Sequence, residues 1–294
     1  MQERFLKIRS VLVIVLVLNW AVAMAKVVYG LMTKCTAMSA DGFHSFADGA
    51  SNIIGFVGIW VASQPVDEDH PYGHKKYETF TAIVIAILLF IISFNLVHDG
   101  LARFSNPIPP YVTPISFVIM LFTIAINIIV VVYERSKGKE LKSDVLIADS
   151  QHTRSDILVS ISVIFTLIAI GLGFPIIDTM VSMAIALIIA YGAFGILRES
   201  SAILCDRTPL VSDEIKDVVL NIDGVKDCHK IRTRGRPDDI HIDLHILINK
   251  NMHVGKAHEL NHIIEEAIKD KIAGVTDVVI HVEPDTKDEK NLAD

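Results

Sequence analysis

Long apolar runs dominate the first two thirds of the chain, and amphipathic or alternating patterns replace them in the last third. Six stretches are long enough to cross a bilayer as helices, which takes about 20 residues. They cover approximately residues 10–32, 38–63, 80–102, 112–134, 145–171 and 175–203. The third, fourth and sixth are almost uncharged, whereas the second and fifth carry His and Asp inside the apolar run. Short connections predict a compact six-helix bundle. After Leu210 the pattern changes. Residues 212–221 predict a short helix with Ser212 as cap and an acidic first turn, and 225–234 predict a strand. Residues 240–248 alternate, with Ile240, Ile242, Leu244 and Ile246 on one face and His241, Asp243, His245 and Leu247 on the other. A helix over 254–273 and a strand over 275–282 complete the order αββαβ, which suits a small two-layer domain of the ferredoxin-like kind. The expected fold is a membrane all-α bundle of six transmembrane helices (1–207), a cytoplasmic α+β ferredoxin-like domain (208–284) and a charged tail (285–294).

Composition agrees with this division. Of 294 residues 51% are apolar, and the mean hydropathy is +0.47, too apolar for an ordinary soluble domain. The net charge of −7 comes partly from the acidic tail and says little about partners. No basic stripe with interleaved aromatics exists, so nucleic acid is not an expected partner. Cys35, Cys205 and Cys228 are scattered, giving neither a disulfide framework nor a C-x-x-C metal motif. The charged N-terminus, with Arg4, Lys7 and Arg9, precedes an apolar run too long for a cleavable signal peptide. Lys75, Lys76, Arg135, Lys137, Lys139, Lys142, Arg198 and Arg207 fall on the same side of the bundle as the N-terminus. The excess of positive charge puts both termini in the cytoplasm and the chain in the cell inner (plasma) membrane as a multi-pass protein.

The polar residues inside the apolar runs carry the chemistry. His44 and Asp48 are four apart on the second run, and His152 and Asp156 are four apart on the fifth. Residues four apart share a helix face, so each helix can offer an imidazole and a carboxylate to one point. Two nitrogens and two oxygens suit a tetrahedral Zn²⁺, although other divalent ions accept the same donors. An ionised Asp at mid-bilayer costs about 2.5–3.5 kcal/mol on insertion scales, so two such residues need a compensating cation. Asp41 and Asp149 precede these pairs by about a turn and suit either an ion access path or the solvation of a helix end. Asn52, Ser45 and Ser155 suit helix packing; Asn95, His98 and Asp99 suit the interface. In the loop after the second run, Asp67, His70 and His74 suit either a second ion, with Gly73 allowing the turn, or a solvated loop. The C-terminal domain holds His229, His241, His245, His253, His258, His262 and His281 with Asp243 and Glu283, a density that favours regulatory metal binding.

Taken together, the phrases SADGFHSFADGASN (39–52), HPYGHKKYE (70–78) and ADSQHTRSD (148–156) resemble the cation diffusion facilitator family over nearly the whole chain. The resemblance implies a homodimeric, proton-coupled exporter working by alternating access. By position it implies a transport site at His44, Asp48, His152 and Asp156, and a loop site at Asp67, His70 and His74. It also implies cytoplasmic metal sites at His229, Asp243, His258, His281 and Glu283, and a charge pair, Lys76 with Asp206, linking the two domains. Asp243 stands where some members have His, Glu283 where they have Asp, and His44 where some bacterial members have Asp. The expected function is efflux of a divalent cation, most readily as a Zn²⁺/H⁺ antiporter, with Fe²⁺, Mn²⁺, Co²⁺ and Cd²⁺ as alternative cargo. An enzyme is not expected, because no His-Glu-x-x-His motif supplies a general base beside an open zinc position.

Overall fold

The computed structural model describes residues 2–32, 45–46, 49–105, 114–171 and 176–286. Among the described residues the helices α1 (Gln2–Met32), α2 (Ala50–Ala62), α3 (Lys76–Ser105), α4 (Pro114–Glu140), α5 (Asp144–Gly171) and α6 (Ile176–Leu204) come first. Then follow α7 (Ser212–Leu220), β1 (Val225–Arg236), β2 (Asp239–Ile248), α8 (Val254–Lys271) and β3 (Val275–Pro284). The chain divides into two compact units, Met1–Ser200 and Ser201–Asp294.

In the first unit, large apolar side chains point outward as well as inward. Val17, Phe80, Phe94, Ile129, Leu187 and Tyr191 are each more than half exposed. Water would not tolerate such a surface, whereas lipid would. Among the described residues three helices are long and apolar enough to cross a membrane, within Glu3–Val28, Lys76–His98 and Met183–Leu204. The charged start of α1 and the charged ends of α3 and α4 extend the helices past the apolar runs read from the sequence. Ile8, Leu12, Ile59, Ile85, Val145 and Leu146 fill the core between α1, α2, α3 and α5. Gly58 lets α2 approach α3 closely: a Cβ there would lie 1.9 Å from Thr81 Oγ1 and 2.7 Å from Thr81 Cβ. Small residues at helix contacts do this work where lipid removes any hydrophobic drive between helices. Arg4 ties the end of the bundle together, donating from Nε to the Leu141 carbonyl at 2.7 Å and pairing with the fully buried Glu78 at 3.0 Å.

The second unit is a three-stranded mixed sheet in the order β1-β2-β3. β1 and β2 run antiparallel through a tight turn at Pro237–Asp238, and β2 and β3 run parallel, so α8 serves as the crossover. Ile240, Ile242, Leu244 and Ile246 are all at most 3% exposed. They pack against Ile215 and Val219 of α7 and Leu260, Ile264 and Ile268 of α8. Both helices therefore cover one sheet face, and the histidine-bearing face of β2 is left for chemistry. Asp213 and Glu214 place negative charge at the start of α7, while Val211 rather than Ser212 occupies its cap position. Cys228 is buried in this core, and burial pushes its thiol up to about 11, which leaves it an inert hydrophobe.

Candidate metal centres

Two groups of metal-ligating side chains converge among the described residues. The first is in the loop between α2 and α3. Asp67 accepts from the His70 backbone N–H at 2.7 Å, and its Oδ1 lies 3.1 Å from His70 Nδ1. Its Oδ2 lies 3.3 Å from His74 Nε2. The loop closes because Gly73 takes φ +81° and donates its N–H to the His70 carbonyl at 2.9 Å. His74 is buried, and its Nδ1 sits 3.0 Å from the Pro65 carbonyl, which fixes the tautomer and turns Nε2 toward Asp67. Tyr77 stacks on the His74 ring at 5.8 Å. Slight burial raises the Asp67 carboxyl, but the hydrogen bonds from His70 and the charges of His70 and His74 outweigh it, so the group lies below its ordinary value of 3.8.

The second group is built by strand register. His229 of β1 stands opposite His245 of β2, and His245 opposite His281 of β3. Neighbouring strands lie about 4.8 Å apart, so in-register side chains on one face must meet. The rings of His229 and His245 are 5.5 Å apart, and those of His245 and His281 are 4.6 Å apart. Glu283, two residues beyond His281, comes to the same face. Its Oε1 lies 2.7 Å from His245 Nδ1 and its Oε2 lies 3.1 Å from His229 Nε2. Burial raises the Glu283 carboxyl, but the His245 hydrogen bond and the two imidazoles outweigh it and hold the group below 4.5. His281 reaches the edge of this group, with Nε2 3.7 Å from Glu283 Oε1 and an exposed ring.

The other residues singled out from the sequence fall elsewhere. Asp243 pairs with Arg232 at 3.5 Å, so His245 and not Asp243 is the β2 member of the cluster. A register shift between His229 and Arg232 separates these neighbours, and sequence spacing does not reveal it. His258 pairs with His262 on α8, Nε2 to Nε2 at 3.3 Å. His253 caps α8, its Nδ1 accepting from the Gly255 N–H, which makes it structural. His241 lies near Asp239 and Asp277. Lys76 opens α3, and Asp206 follows α6 at φ +54°.

Of the four residues expected to carry transport, His44 and Asp48 lie outside the described residues, as does Asp41. His152 and Asp156 lie one turn apart on α5. His152 is 5% exposed, and neither of its ring nitrogens has a hydrogen-bond partner among the described residues. A buried imidazole with both nitrogens unmet is costly, and a ligand is the ordinary reason for keeping one. Asp149, one turn earlier, is fully buried and accepts a hydrogen bond from the Asn52 amide of α2.

Apolar helices holding a buried His152 and a sheet that brings His229, His245 and Glu283 together are the features the comparisons with known proteins bear on. The family model for the cation efflux transmembrane domain matches residues 12–205, and that for the cation efflux cytoplasmic domain matches 208–285. The chain belongs to this cation diffusion facilitator family, a family of transporters rather than enzymes. It is 29% identical to an uncharacterized transporter of Methanocaldococcus jannaschii, over 94% of this chain and 98% of the relative. It is 28% identical to the manganese efflux system protein MneP of Bacillus subtilis, over 94% and 96%. It is 26% identical to metal tolerance protein C1 of Arabidopsis thaliana, over 89% of this chain and 59% of that one. The crystal structure of the cytosolic domain of a cation diffusion facilitator family protein is 32% identical, covers 25% of this chain and 87% of its own, and gives a TM-score of 0.24.

Proposed function

We propose that this protein exports a divalent metal ion across the inner membrane in exchange for protons, with His152 and Asp156 of α5 and His44 and Asp48 as the transport ligands. The observation that carries the reading is His152, buried in the bundle with both ring nitrogens unmet. Metal arrives from the cytoplasm, where both termini lie, and binds the deprotonated ligands. The helices rock, and protons displace the metal on the far side, because imidazole and carboxylate bind metal only when deprotonated. Imidazole, with a reference pKa of about 6.5, makes this competition effective near neutral pH. Asp67, His70 and His74, and the cluster His229, His245 and Glu283, bind metal as regulatory sites. The soluble domain is ferredoxin-like and joins two copies of the chain. Regulation of this kind requires that metal bind one conformation of the dimer better than the other.

Zn²⁺ is the cargo that a two-nitrogen, two-oxygen set suits best. A second reading, Mn²⁺, is favoured by the likeness to a manganese efflux protein over nearly the whole chain. Flux into proteoliposomes under a pH gradient separates the two. Wild type should move the physiological ion fastest and Asp156→Ala should move neither. Undiminished flux in a folded Asp156→Ala protein would remove Asp156 from the site.

A further inference from the structure

A chain of polar contacts crosses the bundle beside the proposed transport ligands. Lys26 of α1 is buried, and its Nζ donates to Ser45 Oγ at 3.0 Å. Ser45 follows His44 directly in the chain. Two turns earlier on α1, the Asn19 amide donates to Asn52 Oδ1 at 3.2 Å. Asn52 opens α2, four positions after Asp48, and is also buried. Its own amide donates to Asp149 Oδ2 of α5, and Asp149 is fully buried three positions before His152. Residues 19 and 26 are seven apart and return to nearly the same face of α1. That face therefore meets the stretch around His44 and Asp48 at Ser45 and again at Asn52, which bracket Asp48 in the chain.

Polar side chains in apolar helices are costly, and they commonly serve to bond one helix to another. These contacts do so at one level of the bundle only. α1 supplies none of the proposed ligands, yet its two polar residues reach the stretch that carries His44 and Asp48. Asn52 is the junction, because it accepts from α1 and donates to α5. The link thus runs from one ligand-bearing helix to the other, within four positions of Asp48 and three of His152. Geometry, more than raw affinity, separates the first-row divalent ions at nitrogen and oxygen sites. Groups behind the ligands fix that geometry. We propose that Asn19, Lys26, Asn52 and Asp149 are positioning residues, a polar frame that sets the spacing between the two halves of the transport site and so its discrimination between Zn²⁺ and Mn²⁺. The identity of the ligands rests on the transport reading; the contacts of the frame do not.

The test is Zn²⁺ and Mn²⁺ flux by the full chain in proteoliposomes under a pH gradient, read as the ratio of kcat/KM for the preferred ion over the other. Wild type, Asp156→Ala, Asn52→Ala, Asn19→Ala and the exchange variant Asn52→Asp with Asp149→Asn are compared, with thermal melts to establish folding. Asn52→Ala should lower the ratio about 10-fold or more, the range that groups behind metal ligands carry. Asn19→Ala leaves the contact between Asn52 and Asp149 in place and should lower the ratio less, which covers the case of an Asn52 variant that does not fold. The exchange variant again sets an amide against a carboxylate and should recover most of the ratio. A wild-type ratio in the folded variants overturns the frame, and so does a wild type that prefers neither ion. Loss of flux by the same factor for both ions also overturns it, because the contacts would then only hold helices together. Undiminished flux in folded Asp156→Ala fails the transport reading and the frame with it, whereas an inactive Asp156→Ala beside an unchanged ratio in Asn52→Ala fails the frame alone.

Discussion

Glu283 is the single carboxylate that bridges His229 and His245, so Glu283→Gln probes the sheet cluster most directly. Without metal, the substitution turns the one charge-assisted hydrogen bond, to His245, into a neutral one, while the 3.1 Å approach of His229 is not hydrogen-bonded. Hydrogen bonds to charged groups contribute about 1.5–3 kcal/mol and neutral ones about 0.5–1.5, so the loss is about 1 kcal/mol. For a domain of this size that is roughly 4–8 °C in Tm. With metal, the effect is larger. Loss of the anionic ligand should weaken binding at least ~100-fold, given that even outer-shell partners carry about 10–100-fold. At a concentration 100 times its Kd, metal stabilises the wild-type fold by about 2.7 kcal/mol, or roughly 10–20 °C. At that concentration the variant gains only about 0.4 kcal/mol, or roughly 2–3 °C. The assay is thermal unfolding of the soluble domain within the full chain, with and without Zn²⁺ or Mn²⁺, after chelator treatment. An equal metal-induced shift in both proteins would refute the reasoning and reduce the cluster to a His245–Glu283 hydrogen bond beside His229.

Three further outcomes follow from the same structure. Because the folded Glu283 carboxyl lies below 4.5, its contribution is complete above that value and is lost as pH falls through the folded-state value. The metal-free wild-type soluble domain should therefore lose Tm more steeply than Glu283→Gln in melts taken from pH 6 down to pH 3. Gly58→Ala should destabilise the bundle by about 1–3 kcal/mol, since its Cβ meets the root of the Thr81 side chain. Thr81→Ala in the same chain should recover part of that loss in a detergent-stability assay. Arg4→Met removes the 3.0 Å partner of the fully buried Glu78 and should cost on the order of 3 kcal/mol; Glu78→Gln in that background should restore much of it.

Three helices of the bundle, α1, α3 and α6, were legible because membrane-length apolar runs have few other uses. The β2 core was legible because strict alternation at Ile240, Ile242, Leu244 and Ile246 admits one buried face. The convergence of Asp67, His70 and His74 was legible because a single short turn brings them together. The sheet cluster was only half legible. Alternation placed His245 on the open face, but which residue of β1 or β3 stands beside it depends on register. That register includes a shift between His229 and Arg232 and a parallel pairing across α8. Carrying residues over by resemblance selected Asp243, two positions away, which pairs with Arg232 instead.

The donor atoms differ between these centres, and that bears on how selectivity must be measured. The sheet cluster offers two imidazole nitrogens and a carboxylate, a set on which Zn²⁺ outcompetes Mn²⁺ by the ordinary affinity order. The proposed transport set of His44, Asp48, His152 and Asp156 adds carboxylate oxygens that Mn²⁺ also accepts. A calorimetric titration of the whole protein adds these sites together, so tight Zn²⁺ binding would report the soluble domain and not the cargo. Flux in a Glu283→Gln background removes that contribution while leaving α5 untouched. The metal order seen there is free of the sheet cluster, and His74→Ala in the same background removes the loop group as well.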